Sequence, residues 1–254
     1  AGNTLSVGGN NKSTVFSGTI VNPNGLALTK VGTGTLTLTG AIGYTGATMV
    51  NGGELLVTPV SAVKGDYFVA SGAALGVTNT SGGSAVVSNL AAVGSELEFQ
   101  NIASTTTPLV AASNFTVAGS CVVKISGASG LMAGNSYPLV SFAGAFSGAL
   151  TNLQLQMPYG WRGALATNGN QMVLANVTAV ATTPPQMSLT PNGQQLQIAW
   201  PASHTGWRLQ VQTNSLNSGL GSNWVDVPNT STANAYTNVI NPANGSIFYR
   251  MVYP

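Results

Sequence analysis

Charge is what this sequence most lacks. Of its 254 residues only 5% are Asp, Glu, Lys or Arg, against roughly a quarter in an average soluble domain. The surface must be built from Thr, Ser, Asn, Gln and Gly, and little like-charge repulsion is left to hold sheet edges of neighbouring copies apart. The seven bases, Lys12, Lys30, Lys64, Lys124, Arg162, Arg208 and Arg250, stand singly against five acids. No basic stripe exists for nucleic acid, and no polybasic segment for a membrane surface. No apolar run is long enough for a spanning helix.

A single cysteine, Cys121, excludes an intrachain disulfide and reads as a buried, inert thiol. The single histidine, His204, lies beside Gly206 and reads as a surface residue of a turn. A zinc site needs partners that one histidine and one distant cysteine do not supply, and a Ser-His triad would have to recruit one of the five acids. Two aspartates, Asp66 and Asp226, are too few for calcium-binding β-roll repeats. Glu96 and Glu98 share one face of a strand, an arrangement that serves acid-base chemistry, binds a cation or simply faces water. No phosphate loop, dinucleotide fingerprint or metal-ligand spacing occurs. No cofactor, no metal and no catalytic residues are therefore expected, and five scattered acids argue against a lyase-type enzyme.

What is present is a recurring phrase, a glycine followed by alternating apolar residues. It begins at Gly34 and returns at Gly53, Gly72, Gly94 and Gly119, spaced 19, 19, 22 and 25 residues, with a weaker echo at Gly169. A strand returning at a period near twenty marks a solenoid, whose coils bury their apolar side only by stacking on one another. Glycine supplies the positive φ of a corner, and the residues after it alternate between interior and surface. The growing spacing predicts longer loops in later coils.

Residues 25 to 57 are more specific. Leu28, Thr29, Lys30, Gly32, Gly34, Thr35, Leu36, Leu38 and Gly40, then Tyr44, Thr45, Gly46, Thr48, Val50, Gly53 and Leu55, resemble the autotransporter-associated β-strand repeat, or passenger-associated transport repeat, of exported bacterial proteins. The resemblance implies a secreted or surface-borne β-helix that acts as structure rather than as a catalyst.

Residues 1–24 read as a separate N-terminal segment, strand, polar hinge, strand, with apolar pieces at Leu5, Val7, Val15 and Phe16. Residues 25–178 read as the solenoid. Pro184 and Pro185 stiffen residues 179–186 into an extended linker. Beyond it, residues 187–254 carry six strand phrases with turns at Pro191-Asn-Gly193 and Asn244-Gly245, which indicates a small antiparallel β-sandwich. This part resembles fibronectin-III-like modules of bacterial secreted proteins through Trp200-Pro201, Trp207-Arg-Leu209 and Phe248-Tyr-Arg250. Six strands where such a sandwich usually has seven leave a place that another chain's strand can fill, and Leu5–Val7 is the candidate donor.

The fold class is thus all-β, a parallel β-helix-like solenoid followed by a β-sandwich. The leading function is a secreted structural protein that assembles with copies of itself by β-strand addition into an extracellular fibre or surface layer, with Leu5, Val7, Val15 and Phe16 as candidate assembly residues. The alternative is an adhesin or polysaccharide-binding module using Trp161, Arg162, Trp207, Arg208 and Trp224, which serve equally as interface anchors. A start at Ala1-Gly2-Asn3 suggests signal-peptide removal on export or a trimmed tag.

Overall fold

The protein is described by a computed structural model covering residues 3–22, 24–79 and 82–253; the expected processed start, Ala1-Gly2, lies outside these residues. Two compact units emerge, residues 1–158 with 163–178 and residues 159–162 with 179–254. The first is a β-solenoid. Its strands are β1 (Thr4–Val7), β2 (Thr14–Phe16), β3 (Ile20–Asn22), β4 (Ala27–Lys30), β5 (Thr35–Leu38), β6 (Ile42–Tyr44), β7 (Thr48–Val50), β8 (Glu54–Val57), β9 (Tyr67–Val69) and β10 (Ala74–Thr78). They continue as β11 (Ala85–Val93), β12 (Glu96–Gln100), β13 (Val110–Ala118), β14 (Cys121–Ser126), β15 (Tyr137–Phe142), β16 (Phe146–Ser147), β17 (Leu153–Gln156), β18 (Trp161–Asn168) and β19 (Gln171–Ala179).

Two walls stack these strands. One is a ten-stranded sheet in the order β1-β4-β7-β9-β11-β13-β15-β19-β18, with β16 also beside β13; the other is seven-stranded, β17-β14-β12-β10-β8-β5-β2. A short third wall pairs β3 with β6. Every glycine-headed phrase from Gly34 to Gly119 starts a strand of the seven-stranded wall. Gly53 takes φ 58° there, and a Cβ on it would lie 2.4 Å from the Gly34 carbonyl of the preceding coil. Gly34 needs no positive φ; it is required because a Cβ would sit 2.4 Å from the Lys12 carbonyl.

Register makes the core. In the seven-stranded wall Leu36, Leu55, Leu75, Leu97, Val123 and Leu155 form one inward column, and Leu38, Val57, Val77, Phe99 and Ile125 the next. In the opposite wall Leu28, Thr48, Tyr67, Leu90, Phe115 and Phe146 align, followed by Lys30, Val50, Val69, Ala92 and Val117. Each buried Leu, Val or Phe contributes about 1.5–3 kcal/mol. A slip of one residue would turn a whole column to solvent. Cys121 is buried as expected, its Sγ near the Ala92 and Ala118 carbonyls.

Lys30 interrupts an otherwise apolar column, and it is wholly buried. Its ammonium donates to the carbonyls of Val31, Gly32 and Gly52, at 2.8, 3.1 and 3.0 Å. The three donors of a lysine are thereby used on carbonyls that corners leave unpaired. Burial holds its pKa below the ordinary value, an effect that the Glu54 charge opposes.

The structure differs from the sequence reading at both ends of the solenoid. Residues 4–22 are not a separate segment: β1 pairs in parallel with β4, β2 with β5, and β3 with β6, so they make the first coil. Leu5–Val7 is therefore already a rung of its own chain rather than a free donor strand. At the far end the coil pattern does not run to residue 178 in parallel fashion, because β19 lies antiparallel to β15 and β18 follows it. The period-2 pattern of Met172-Val-Leu174 suits either direction, which is why sequence alone did not separate them.

The second unit has the six expected strands, β20 (Ser188–Asn192), β21 (Gln195–Ala199), β22 (Arg208–Asn214), β23 (Val225–Asp226), β24 (Ala235–Val239) and β25 (Ser246–Val252). They form two antiparallel sheets, β20-β21-β24 and β23-β22-β25, around Ile198, Trp200, Leu209 and Val227. The expected linker is instead strapped to this unit. Ala181 N donates to the Ser203 carbonyl and Trp207 Nε1 to the Ala181 carbonyl, while His204 Nε2 bonds the Thr183 carbonyl at 2.8 Å. His204 is accordingly buried, not a surface turn residue.

Replacing Lys30 by Met should remove three hydrogen bonds and orphan buried carbonyls, at an expected cost on the order of 3 kcal/mol. Denaturant unfolding followed by circular dichroism measures it; an unchanged midpoint would show that the corner does not need the ammonium.

Candidate functional site

Among the described residues, the first coil has a neighbour on one side only. Leu5 and Val7 continue the Leu28 and Lys30 columns, and Thr14, Phe16 and Ile20 continue those of Leu36, Leu38 and Ile42. No coil lies over them among the described residues. Leu5 and Phe16 are each 38% exposed, against 1% for Leu28 and 2% for Leu38 one coil below. The result is an apolar opening of about 300 Å³ lined by Leu5, Val7, Thr14, Val15, Phe16 and Ile20, with Leu28, Leu36 and Leu38 as its floor. Val15 and Val21, on the same coil, are 70% and 74% exposed. β1 and β2 are the terminal strands of their sheets and each has one unpaired edge.

The four assembly residues expected from sequence, Leu5, Val7, Val15 and Phe16, all come together here. Ile20 and the three-residue strand it heads were missed; the signal was its alignment with Ile42 one period later.

The expected ligand residues do not gather at one place. Trp207 is buried and edge-on to Tyr253, at 5.3 Å between ring centroids. Arg208 pairs with Asp226, which also accepts from Gln210 at 2.8 Å. Arg250 donates to Gln210 and lies 4.3 Å above the Trp224 ring, so Arg208 and Trp224 belong to one outward face of the β23-β22-β25 sheet. Trp161 and Arg162 are half-buried at the start of β18, where the Arg162 Nε has no hydrogen-bond partner.

Glu96 and Glu98 do share a face, the outward one of the seven-stranded wall, but Lys124 binds both, at 3.3 and 2.9 Å. Burial pushes the Glu98 carboxyl up, yet donors from Ser126, Lys124 and Gln100 outweigh it, so its pKa lies below the ordinary value. Bonding to Glu98 raises that of Lys124. Glu54 stands on the same wall and is not so served: burial, followed by the Glu98 charge, raises its pKa, and its Oε1 has no partner. Paired to a lysine, these carboxylates make a tied-down surface network. Among the described residues no group of three or more His, Cys, Asp or Glu is placed to hold a metal ion.

The two glutamates should affect stability with opposite signs. A raised pKa means that Glu54 favours the folded state while protonated, and that this contribution is lost as pH rises through the folded value. Glu54→Gln should then unfold at a higher temperature than the parent near pH 7, with the gap closing towards about pH 4. For Glu98 the depressed pKa contributes stability above the unfolded value that disappears as pH falls through the folded one. Glu98→Gln should be less stable near pH 7, converging with the parent in acid. Thermal melts across this range test both.

Residues 28–57, which run from β4 to the end of β8, match the family model described as the passenger-associated-transport repeat. Neither a curated protein nor a solved structure matches the chain. The fold and this match together identify an all-β protein whose solenoid carries a passenger-associated-transport repeat.

Proposed function

We propose that this chain is a secreted structural module of a cell surface or extracellular layer, and that it joins copies of itself by β-strand addition at the first coil. The observation that carries the reading is the apolar opening bounded by the unpaired edges of β1 and β2. In water such an end leaves hydrocarbon exposed and backbone groups bonded only to solvent, and a second sheet edge can cover the one and pair the other. The repeat supports a surface or extracellular location and a non-catalytic role, since passenger-type solenoids act as scaffolds. No helix among the described residues is long and apolar enough to cross a membrane.

The solenoid's two ends are unlike. β1 closes its wall as a parallel strand, whereas the same wall finishes at the antiparallel β19 and β18. A head-to-tail stack would have to join these dissimilar edges. Two first coils meeting about a two-fold axis bring like edges together, with apolar opening against apolar opening. Lys12 is the one ionic side chain in residues 1–24, so almost no like charge opposes the contact.

The carbohydrate-binding alternative has less support. Of its three candidate rings Trp207 is buried and Trp224 is covered by Arg250, which leaves the half-buried Trp161 alone to meet a sugar ring.

Phe16→Lys places an ammonium in the opening while leaving the second coil intact. It should weaken self-association at least about tenfold without changing the far-ultraviolet spectrum, whereas Val60→Lys, an exposed position elsewhere on the solenoid, should not. Light scattering and electron microscopy across protein concentrations measure this; association that Phe16→Lys leaves intact would overturn the role of the first coil.

A further inference from the structure

One hydroxyl of the second unit sits in the geometry of an activated nucleophile. Ser203 and His204 belong to the 3₁₀ turn Ala202–His204, in which the His204 amide donates to the Pro201 carbonyl. Ser203 is exposed, whereas the His204 ring is buried, 5.8 Å from the Trp207 ring. Both ring nitrogens are bonded. Nδ1 lies 3.0 Å from the Ser203 Oγ, and Nε2 lies 2.8 Å from the Thr183 carbonyl oxygen. A carbonyl only accepts, so Nε2 carries a proton. In the neutral imidazole Nδ1 is then the nitrogen with the lone pair, and it accepts from the Ser203 hydroxyl. The strap that brings Thr183 here is itself pinned, by Ala181 N on the Ser203 carbonyl and Trp207 Nε1 on the Ala181 carbonyl. Nucleophile, base and orienting group are therefore all in place, as in the arrangement that activates serine in unrelated folds. The third member is a backbone carbonyl instead of one of the five acids.

We propose that Ser203 is a nucleophile that takes an acyl group from an activated carboxylic ester, with His204 as its base. The Ser203 Oγ attacks the carbonyl carbon of the donor as its proton passes to Nδ1. The hydrogen bond from Nε2 to the Thr183 carbonyl stabilises the imidazolium so formed, the part that a carboxylate plays in a triad. The imidazolium returns the proton to the departing thiolate or phenolate, which leaves an ester on Ser203 and a free thiol or phenol. Exposure sets the class of donor. An oxyanion developing beside an exposed serine is solvated by water and not by enclosed donors, so the leaving group must be a good one. Thioesters and aryl esters meet that condition; amides do not. The site gives the second unit a point of covalent attachment, and it does not depend on the first coil.

Treating the full chain with para-nitrophenyl acetate and mapping its peptides by mass spectrometry tests this. Ser203 should gain an acetyl group on the order of a hundredfold faster than Ser218, an exposed serine whose hydroxyl bonds that of Ser215 instead. Hydroxylamine should remove the group, which separates a serine ester from an acetylated lysine. In His204→Gln the side-chain amide keeps a donor for the Thr183 carbonyl but sets no base against Ser203. That variant should acetylate Ser203 at the Ser218 rate with its circular dichroism unchanged. Equal rates at Ser203 and Ser218 in the parent chain overturn the proposal without recourse to any variant. An excess at Ser203 that survives His204→Gln overturns the role of the imidazole.

Discussion

Parallel pairing in fixed register from coil to coil is the constraint on which this molecule rests. Each strand of a wall has its hydrogen-bonding partners in the coils above and below, so no coil is stable alone. Once β5, β8, β10, β12 and β14 are aligned, the inward columns follow, and Leu55 lands between Leu36 and Leu75 because the backbone leaves it no other place. Loop length is then free to vary, and the spacing between coils grows without disturbing the columns. The glycines at the corners serve this alignment. They allow successive corners to approach more closely than a Cβ permits, as at Gly53 against Gly34.

The same constraint governs how polar groups are handled. Inside, Tyr44 and Thr48 share a hydrogen bond, and Tyr67 accepts from the Val63 amide. Outside, Asp66, Asn89 and Asn114 form a side-chain ladder that climbs from coil to coil along the ten-stranded wall. With so few charges available, amides do the work that ion pairs do elsewhere, and they do it at the spacing between adjacent strands. The glutamates are the exception, and they are neutralised in part by Lys124 across neighbouring strands.

Much of the fold was legible because its signal is local. A glycine and four alternating residues suffice to mark a strand of the seven-stranded wall, and the six strands of the sandwich are each bounded by turn residues. What escaped depends on distant partners. β3 has only three residues, and the antiparallel direction of β19 is set by its pairing with β15, so neither was visible until pairing was known. His204 looks like a turn residue in its own neighbourhood; its burial is set by the Thr183 carbonyl, 21 residues away. Residues 179–186 likewise read as a linker because the attachments of Ala181, to Ser203 and Trp207, lie some twenty residues further along the chain. The candidate assembly residues lie together because Leu5, Val7, Val15 and Phe16 all belong to β1 and β2 of the first coil.

The seat of Lys30 bears on how the chain reaches this form. Two of its carbonyl acceptors belong to its own corner, but the third, Gly52, belongs to the following coil. An ammonium sheds its water at a steep cost unless every replacement is in place. The bond to Gly52 therefore ties the second coil to the third, and the solvation of the ammonium is fully replaced only where both are in place. The repeat thus holds, in one side chain, a reason for two adjacent coils to depend on each other.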